Sequence, residues 1–336
     1  MLTNIHIQGF KGFKDTRIDS LRKVNLILGG QNVGKTSLLE AVYFGASDLN
    51  KAQGLSAVFR ATEGRDNQRF VENVFKDASG LIELLSSWNL KLSTSLNSFR
   101  TIDALGQPLS LIEWDGVRVA QHLDDSLVNA LGKLSMVHSS VHAKLKSLTF
   151  WNPLAVSVHL PTQTQSVQLF DKVVIGRKKK QLLDMLRKIE PRLEDIHSLS
   201  PDGELRIYVE LDGERNALPL PQLGHGFSRL VFLYCSLLVT DAHLALIDEI
   251  ENGIHYSSLP ILFRGIQGIA DKGDVQVMMT THSWDCICAA YKTFADADAL
   301  KDFQLIRLER DEDNVRAVVI NDEALDTVME AGYEVR

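Results

Sequence analysis

Apolar residues in this chain gather in three patterns. Short, mostly apolar runs at Val24–Leu28, Leu244–Ile247 and Val275–Thr281 read as strands buried on both faces, the form that strands take inside a parallel sheet. Alternation marks others: Met1–His6 alternates like a strand, and Arg206–Glu214 alternates and then runs into a turn. Phe303–Glu309 and Val315–Ile320 predict a closing hairpin, followed by a helix from Glu323 to Glu330. Helical spacing marks Ser37–Ala46, Leu230–Cys235 and the stripe Leu182, Leu183, Leu186 and Ile189. Between residues 50 and 150 the pattern is mixed. Phe70 to Leu85 predicts a helix, Ala104 to Val117 predicts short strands turning at Gly106 and Gly116, and Asp124 to Leu148 predicts a second helix. No heptad persists, which excludes long coiled-coil arms. Buried strands alternating with helices predict an α/β fold.

The punctuation between these elements carries the chemistry. Val24–Leu28 runs into Gly29-Gly30-Gln31-Asn32-Val33-Gly34-Lys35-Thr36, a complete G-x-x-x-x-G-K-T phosphate loop, and a helical pattern follows it. Glycines let backbone N–H groups turn toward phosphate oxygens, and the helix N-terminus adds partial positive charge. Gly29, Gln31, Asn32, Val33, Gly34, Lys35, Thr36 and Ser37 are therefore the candidate nucleotide-binding residues. Lys35 would reach the β- and γ-phosphates, and Thr36 would ligate Mg²⁺. The strand Leu244–Ile247 ends at Asp248-Glu249, where Asp248 would hold Mg²⁺ and Glu249 would act as general base toward water. The strand Val275–Thr281 ends at His282, at the edge where open α/β sheets bind ligands. Gly224 and Gly226 precede the apolar helix Leu230–Cys235, as a second anion-binding helix start or as an ordinary capping turn.

Composition changes this picture little. The 336 residues are 45% hydrophobic and 24% charged, ordinary for a globular chain with a sizeable core. No apolar run approaches the ~20 residues of a membrane span, and no signal-peptide core opens the chain. Cys235, Cys286 and Cys288 form no framework, which points to reduced thiols and a cytoplasmic setting. The net charge of −7 argues against a surface built wholly for nucleic acid. Locally, residues 170–192 hold eight basic and three acidic side chains. The basic part, residues 177–192, reads either as a solvated helix face or as a nucleic-acid or partner contact.

The motifs stand in the order phosphate loop, glycine pair, Asp-Glu strand, histidine strand. In that order they resemble the ABC-class ATPase heads of the SMC, RecF and OLD branch. Ile5–Lys14 resembles the first strands of such heads, Ile247–His255 resembles the Walker B and D-loop of OLD-like bacterial ATPases, and Thr280-Thr281-His282-Ser283 resembles their H-loop. The resemblance covers residues 1–46 and 218–290. It implies an ABC-type P-loop head with a mixed sheet, divided as residues 1–48, a largely helical insertion at 49–195, and a second part at 196–336. It implies ATP and Mg²⁺ as ligands, with Glu249, His282 and Lys35 catalytic. It also implies a head-to-tail dimer in which Gly224 and Gly226 of one copy face the γ-phosphate held by Lys35 of the other. The signature departs from the transporter pattern, since Gly224 stands where those proteins carry serine. Gln163 and Gln165 are the candidates for the Q-loop. OLD nucleases carry a Toprim domain after the head, for which no room is expected here, and Asp296-Ala-Asp298 is a poor substitute for its acidic pair. The resemblance thus implies a regulatory ATPase of a bacterial anti-phage module, working with a separately encoded effector such as a nuclease. A RecF-like ATP-dependent DNA clamp is the alternative.

Overall fold

The computed structural model describes residues 1–46, 81–86, 90–95, 109–114, 117–122, 154–156, 162–239, 243–273 and 275–330. Its strands are β1 (Leu2–Phe10), β2 (Phe13–Ile18), β3 (Val24–Leu28), β4 (Leu81–Ser86), β5 (Leu90–Ser95), β6 (Leu109–Trp114), β7 (Val117–His122), β8 (Leu154–Val156), β9 (Leu193–Leu199), β10 (Arg206–Leu211), β11 (Leu218–Pro219), β12 (Leu244–Ile247), β13 (Gln276–Thr280), β14 (Phe303–Asp311) and β15 (Asn314–Ile320). Its helices are α1 (Lys35–Ala46), α2 (Gln163–Ile175), α3 (Lys179–Leu186), α4 (His225–Val239), α5 (Leu259–Gly273), α6 (Trp284–Asp296) and α7 (Asp322–Glu330).

The central sheet has the order β15-β14-β3-β13-β12-β8. Its pairs are parallel except for the β14–β15 hairpin. Every residue of β3, β12 and β13 is buried, which is why these segments read as continuous apolar runs. Their few polar residues are satisfied sideways. Gln276 accepts from the Leu2 N–H at 2.7 Å and donates to the carbonyls of Leu2 and Arg22, tying the first strand to the sheet. Asn25 donates to Arg22 O at 2.7 Å and accepts from Gln304 Nε2 at 2.9 Å. Because β3, β12 and β13 are parallel neighbours in register, their carboxyl ends open side by side at one edge.

A second, antiparallel sheet has the order β2-β1-β4-β5-β6-β7. It is joined to α1 by an ion pair between Lys11 and the buried carboxylate of Glu40, the pairing a buried charge requires. A three-stranded sheet β11-β10-β9 lies with α2, α3 and α4, whose apolar faces join one core with α5 and α6. The stripe Leu182, Leu183 and Leu186 is buried there.

One expectation is corrected. Residues 81–85 form part of β4, not the end of a helix from Phe70. A short apolar run is ambiguous in isolation, and here the antiparallel edge of β1 decides it. Among its described residues the segment 49–195 holds β4 to β8, α2 and α3, and β9 spans residue 195. The predicted helix from Asp124 to Leu148, the segment Phe70 to Gly80, and the turns at Gly106 and Gly116 lie outside the described residues. The three cysteines are free. Burial pushes the Cys235 thiol up to about 12 and raises Cys286 as well, as for packing residues rather than reactive thiols. Among the described residues no helix is long and apolar enough to cross a membrane.

Candidate nucleotide site

The phosphate loop leaves β3 and turns into α1 in one tight step. Gly29 sits at φ 142°, and a Cβ there would meet the carbonyl oxygen of Leu308 at 2.5 Å. Only glycine lets the loop pass β14 so closely. The loop residues Gln31 to Ser37 line a cavity of about 470 Å³, and Glu249 and His282 complete its wall. The N-terminus of α1, a helix of twelve residues, opens into it. Lys35 Nζ donates to Gly29 O at 2.6 Å and Gly30 O at 2.9 Å. Burial pulls the Lys35 ammonium below the usual lysine range, opposed by the charges of Asp248, Glu251 and Glu249. A half-buried cation at a helix N-terminus is a site made for an anion.

Asp248 leaves β12 directly beside this loop and is 4% exposed. Its carboxylate accepts from Thr36 Oγ1 at 3.0 and 3.2 Å and from Thr280 Oγ1 at 2.6 Å. The donor set fits Mg²⁺ held with a nucleotide: one carboxylate and one hydroxyl, with phosphate oxygens and water supplying the rest. The described residues contain no group of three or more His, Cys, Asp or Glu side chains that could cage a metal alone.

Glu249 occupies the left-handed region, at φ 46°. For a residue other than glycine this costs about 1–3 kcal/mol and persists only where neighbours fix it. Here Glu249 N–H donates to Thr280 Oγ1 at 2.8 Å, and its carbonyl accepts from Arg229 Nη2 at 2.7 Å. Arg229 also reaches Asp248 O at 3.3 Å. Burial pulls its pKa down, and Glu251, Glu249 and Asp248 oppose that. Thr280 therefore fixes both acids from β13, while Arg229 fixes the same turn from α4. His282 follows β13; its backbone N–H donates to Glu251 Oε1 at 2.9 Å, and its Nδ1 lies 3.1 Å from the same oxygen.

Gln31, Asn32, Val33, Gly34, Lys35, Thr36, Ser37, Asp248, Glu249 and His282 thus come together, with Gly29 at the base of the loop. Gly224 and Gly226 do not line this cavity. Gly224 is exposed at φ 90°, at the start of α4. Gly226 packs against the turn after Glu249, where a Cβ would lie 2.5 Å from Gly253 O. Gly226→Ala is expected to shift that turn, costing about 1–3 kcal/mol. A lowered melting temperature together with slower turnover checks this.

Neither Q-loop candidate reaches the cavity. Gln165 closes a capping box with Thr162 at the start of α2, and Gln163 Nε2 donates to Leu205 O at 3.2 Å. A T-x-x-Q pattern is itself a helix-start signal, and it accounts for this segment. Sequence reasoning assigned no role to Thr280 or Glu251, although both stand inside the motifs it quoted.

Comparison with known proteins gives the same outline. A family model described as an AAA ATPase domain matches residues 1–98 and 121–287. An ATP/GTP phosphatase of Helicobacter pylori is 22% identical over 357 aligned positions, covering 94% of each chain. An uncharacterised protein of Methanocaldococcus jannaschii is 36% identical over 56 residues, covering 17% of this chain and 24% of its own. Among solved structures, an Smc head bound to the C-winged helix domain of ScpA has a TM-score of 0.57 at 13% identity, covering 98% of this chain and 99% of that one. The SMC head domain from Thermotoga maritima has a TM-score of 0.50 at 14% identity, covering 96% and 99%. At these identities the likeness to the heads is one of fold.

Proposed function

Because this chain belongs to the AAA ATPase domain family and is an ATPase with an ABC-type P-loop head, we propose that it is an ATP-driven switch whose hydrolytic site is completed by a second copy. The carrying observation is the separation within one copy. Lys35, Thr36, Asp248, Glu249 and His282 line or flank one cavity, while the glycine turn, with Gly224 exposed and Gly226 partly buried, is not part of its lining. Two copies joined head to tail would bring the glycine turn of one to the phosphates on the other.

In this reading Lys35 and the loop amides bind the β- and γ-phosphates, and Thr36 and Asp248 hold Mg²⁺. The ion, when bound, neutralises charge on the phosphate oxygens. Glu249 takes a proton from the water that attacks the γ-phosphorus, the bond to the β–γ bridging oxygen breaks, and ADP and phosphate leave. His282 contacts the γ-phosphate from the cavity wall. ATP joins the two copies and its loss releases them. Turnover per chain should therefore rise with protein concentration to a plateau; a rate per chain independent of concentration would remove the second copy from the site.

The switch acts, in this proposal, in the cytoplasm as the regulatory ATPase of a bacterial anti-phage module, through a separately encoded effector such as a nuclease. The OLD-like motif Ile247–His255 supports this. So does the Smc head of the same fold, which is bound to a domain of another chain. Expression with the neighbouring genes, followed by native mass, tests it: a stable complex with a second gene product supports it, and a bare homodimer shifts weight to DNA handling.

One observation favours that second reading, an ATP-dependent DNA clamp. A cleft of about 420 Å³ between α3 and α5 is lined by Arg177, Lys178, Lys180, Lys188 and Arg264, with Asp184 as its acid. Positive charge concentrated on an acidic chain suits a phosphodiester backbone. The stripe at 177–192 is thereby joined by a cation, Arg264, from a distant part of the sequence. Lys180→Glu with Arg264→Glu should weaken DNA binding and reduce its salt slope by about 2, since each phosphate contact contributes about 0.9. Unchanged affinity and slope would set the clamp aside.

A further inference from the structure

We propose that Glu251 is a positioning residue for His282, fixing the ring so that its Nε2 is presented to the phosphate cavity. This rests on the reading of His282 as a γ-phosphate contact. One oxygen, Glu251 Oε1, accepts the His282 backbone N–H at 2.9 Å and lies 3.1 Å from ring Nδ1. A carboxylate only accepts, so its nearness favours the proton on Nδ1. Nε2 is then the ring nitrogen left for the cavity that His282 lines. The side chain of Glu251 is 10% exposed, against 59% for His282, so the carboxylate stands behind the imidazole as a fixed support.

The second oxygen, Glu251 Oε2, is buried without a hydrogen-bond partner among the described residues. A carboxylate in such a place is costly, and an apolar side chain would fill the space more cheaply. Packing therefore does not explain the acid. Its charge is felt by Lys35 and by Arg229, both of which it favours in their protonated forms. Glu251 thus stands between the turn that carries the two acids and the histidine strand. Its own carbonyl accepts from Ile254 N–H at 2.9 Å, and Ile250 N–H donates to Thr280 O at 3.1 Å. The support is rigid at both ends.

The experiment combines imidazole ¹⁵N shifts with kinetics in the full chain. In the native protein neutral His282 should carry its proton on Nδ1, and in Glu251→Ala it should revert toward the Nε2–H form. Glu251→Ala should lower kcat by at least about 10-fold with ATP affinity kept, because misplacing a reacting group costs rate rather than binding. Glu251→Gln, whose carbonyl still accepts both N–H groups, should restore most of that rate and guards against a folding defect. Glu251→Ala added to His282→Ala should lower kcat no further. Native ¹⁵N shifts in Glu251→Ala, or effects of the two alanines that multiply, would overturn the proposal. If His282→Ala alone turned over at the native rate, the role of His282 in the chemistry would fall, and the ¹⁵N result would still decide whether Glu251 holds the ring.

Discussion

Glu249→Gln is expected to lower kcat for ATP hydrolysis by about 10²–10⁴-fold, the range for losing a general base, while leaving ATP binding near its native strength. The amide keeps the shape and hydrogen-bonding reach of the carboxylate but cannot take the proton of the attacking water. The backbone at this position is held by Thr280 Oγ1 and Arg229 Nη2 through main-chain groups, so the left-handed turn does not depend on the side-chain charge. The phosphate loop and Asp248 are untouched by the change. Steady-state turnover and a nucleotide-binding titration check this together. Turnover within tenfold of native would move the base elsewhere in the cavity.

Lys35→Ala is expected to weaken ATP binding by about 10- to 100-fold, the loss of a charge-assisted hydrogen bond to phosphate. Lys35 is the cation at the N-terminus of α1, and burial already disfavours its charge before any anion arrives. Removing it should therefore leave the fold intact, since no desolvated ammonium then remains on the carbonyls of Gly29 and Gly30. Calorimetric titration with Mg-ATP beside a melting curve separates the two effects. Weak binding with a native melting temperature is the expected pair, and unchanged affinity would take Lys35 out of the phosphate site.

The backbone frame of the candidate site is legible in local sequence. Gly29, Lys35 and Thr36 announce a loop that only a strand and a helix can frame, and β3 and α1 frame it. The buried runs of β12 and β13 deliver Asp248, Glu249 and His282 because parallel strands open their carboxyl ends on one edge. What depends on distant partners was not readable. Leu81–Leu85 is apolar enough for helix or strand, and β1, nearly eighty residues away in sequence, decides for strand. Gln163 and Gln165 were candidates by type, but a local capping box claims Gln165. Thr280 and Glu251 act through hydrogen bonds to residues on other elements. Arg264 meets the basic stretch only because α3 and α5 flank the same cleft. Local backbone chemistry leaves a signature in sequence, and side-chain pairing across the fold does not.

The most direct test of the two-copy site is the solution mass of Glu249→Gln in saturating Mg-ATP, beside the same protein without nucleotide. Blocked hydrolysis should trap the joined state. Twice the mass of one chain is expected with Mg-ATP, and a smaller mass when nucleotide is withheld. A Glu249→Gln protein that binds Mg-ATP and remains a monomer would contradict the two-copy site.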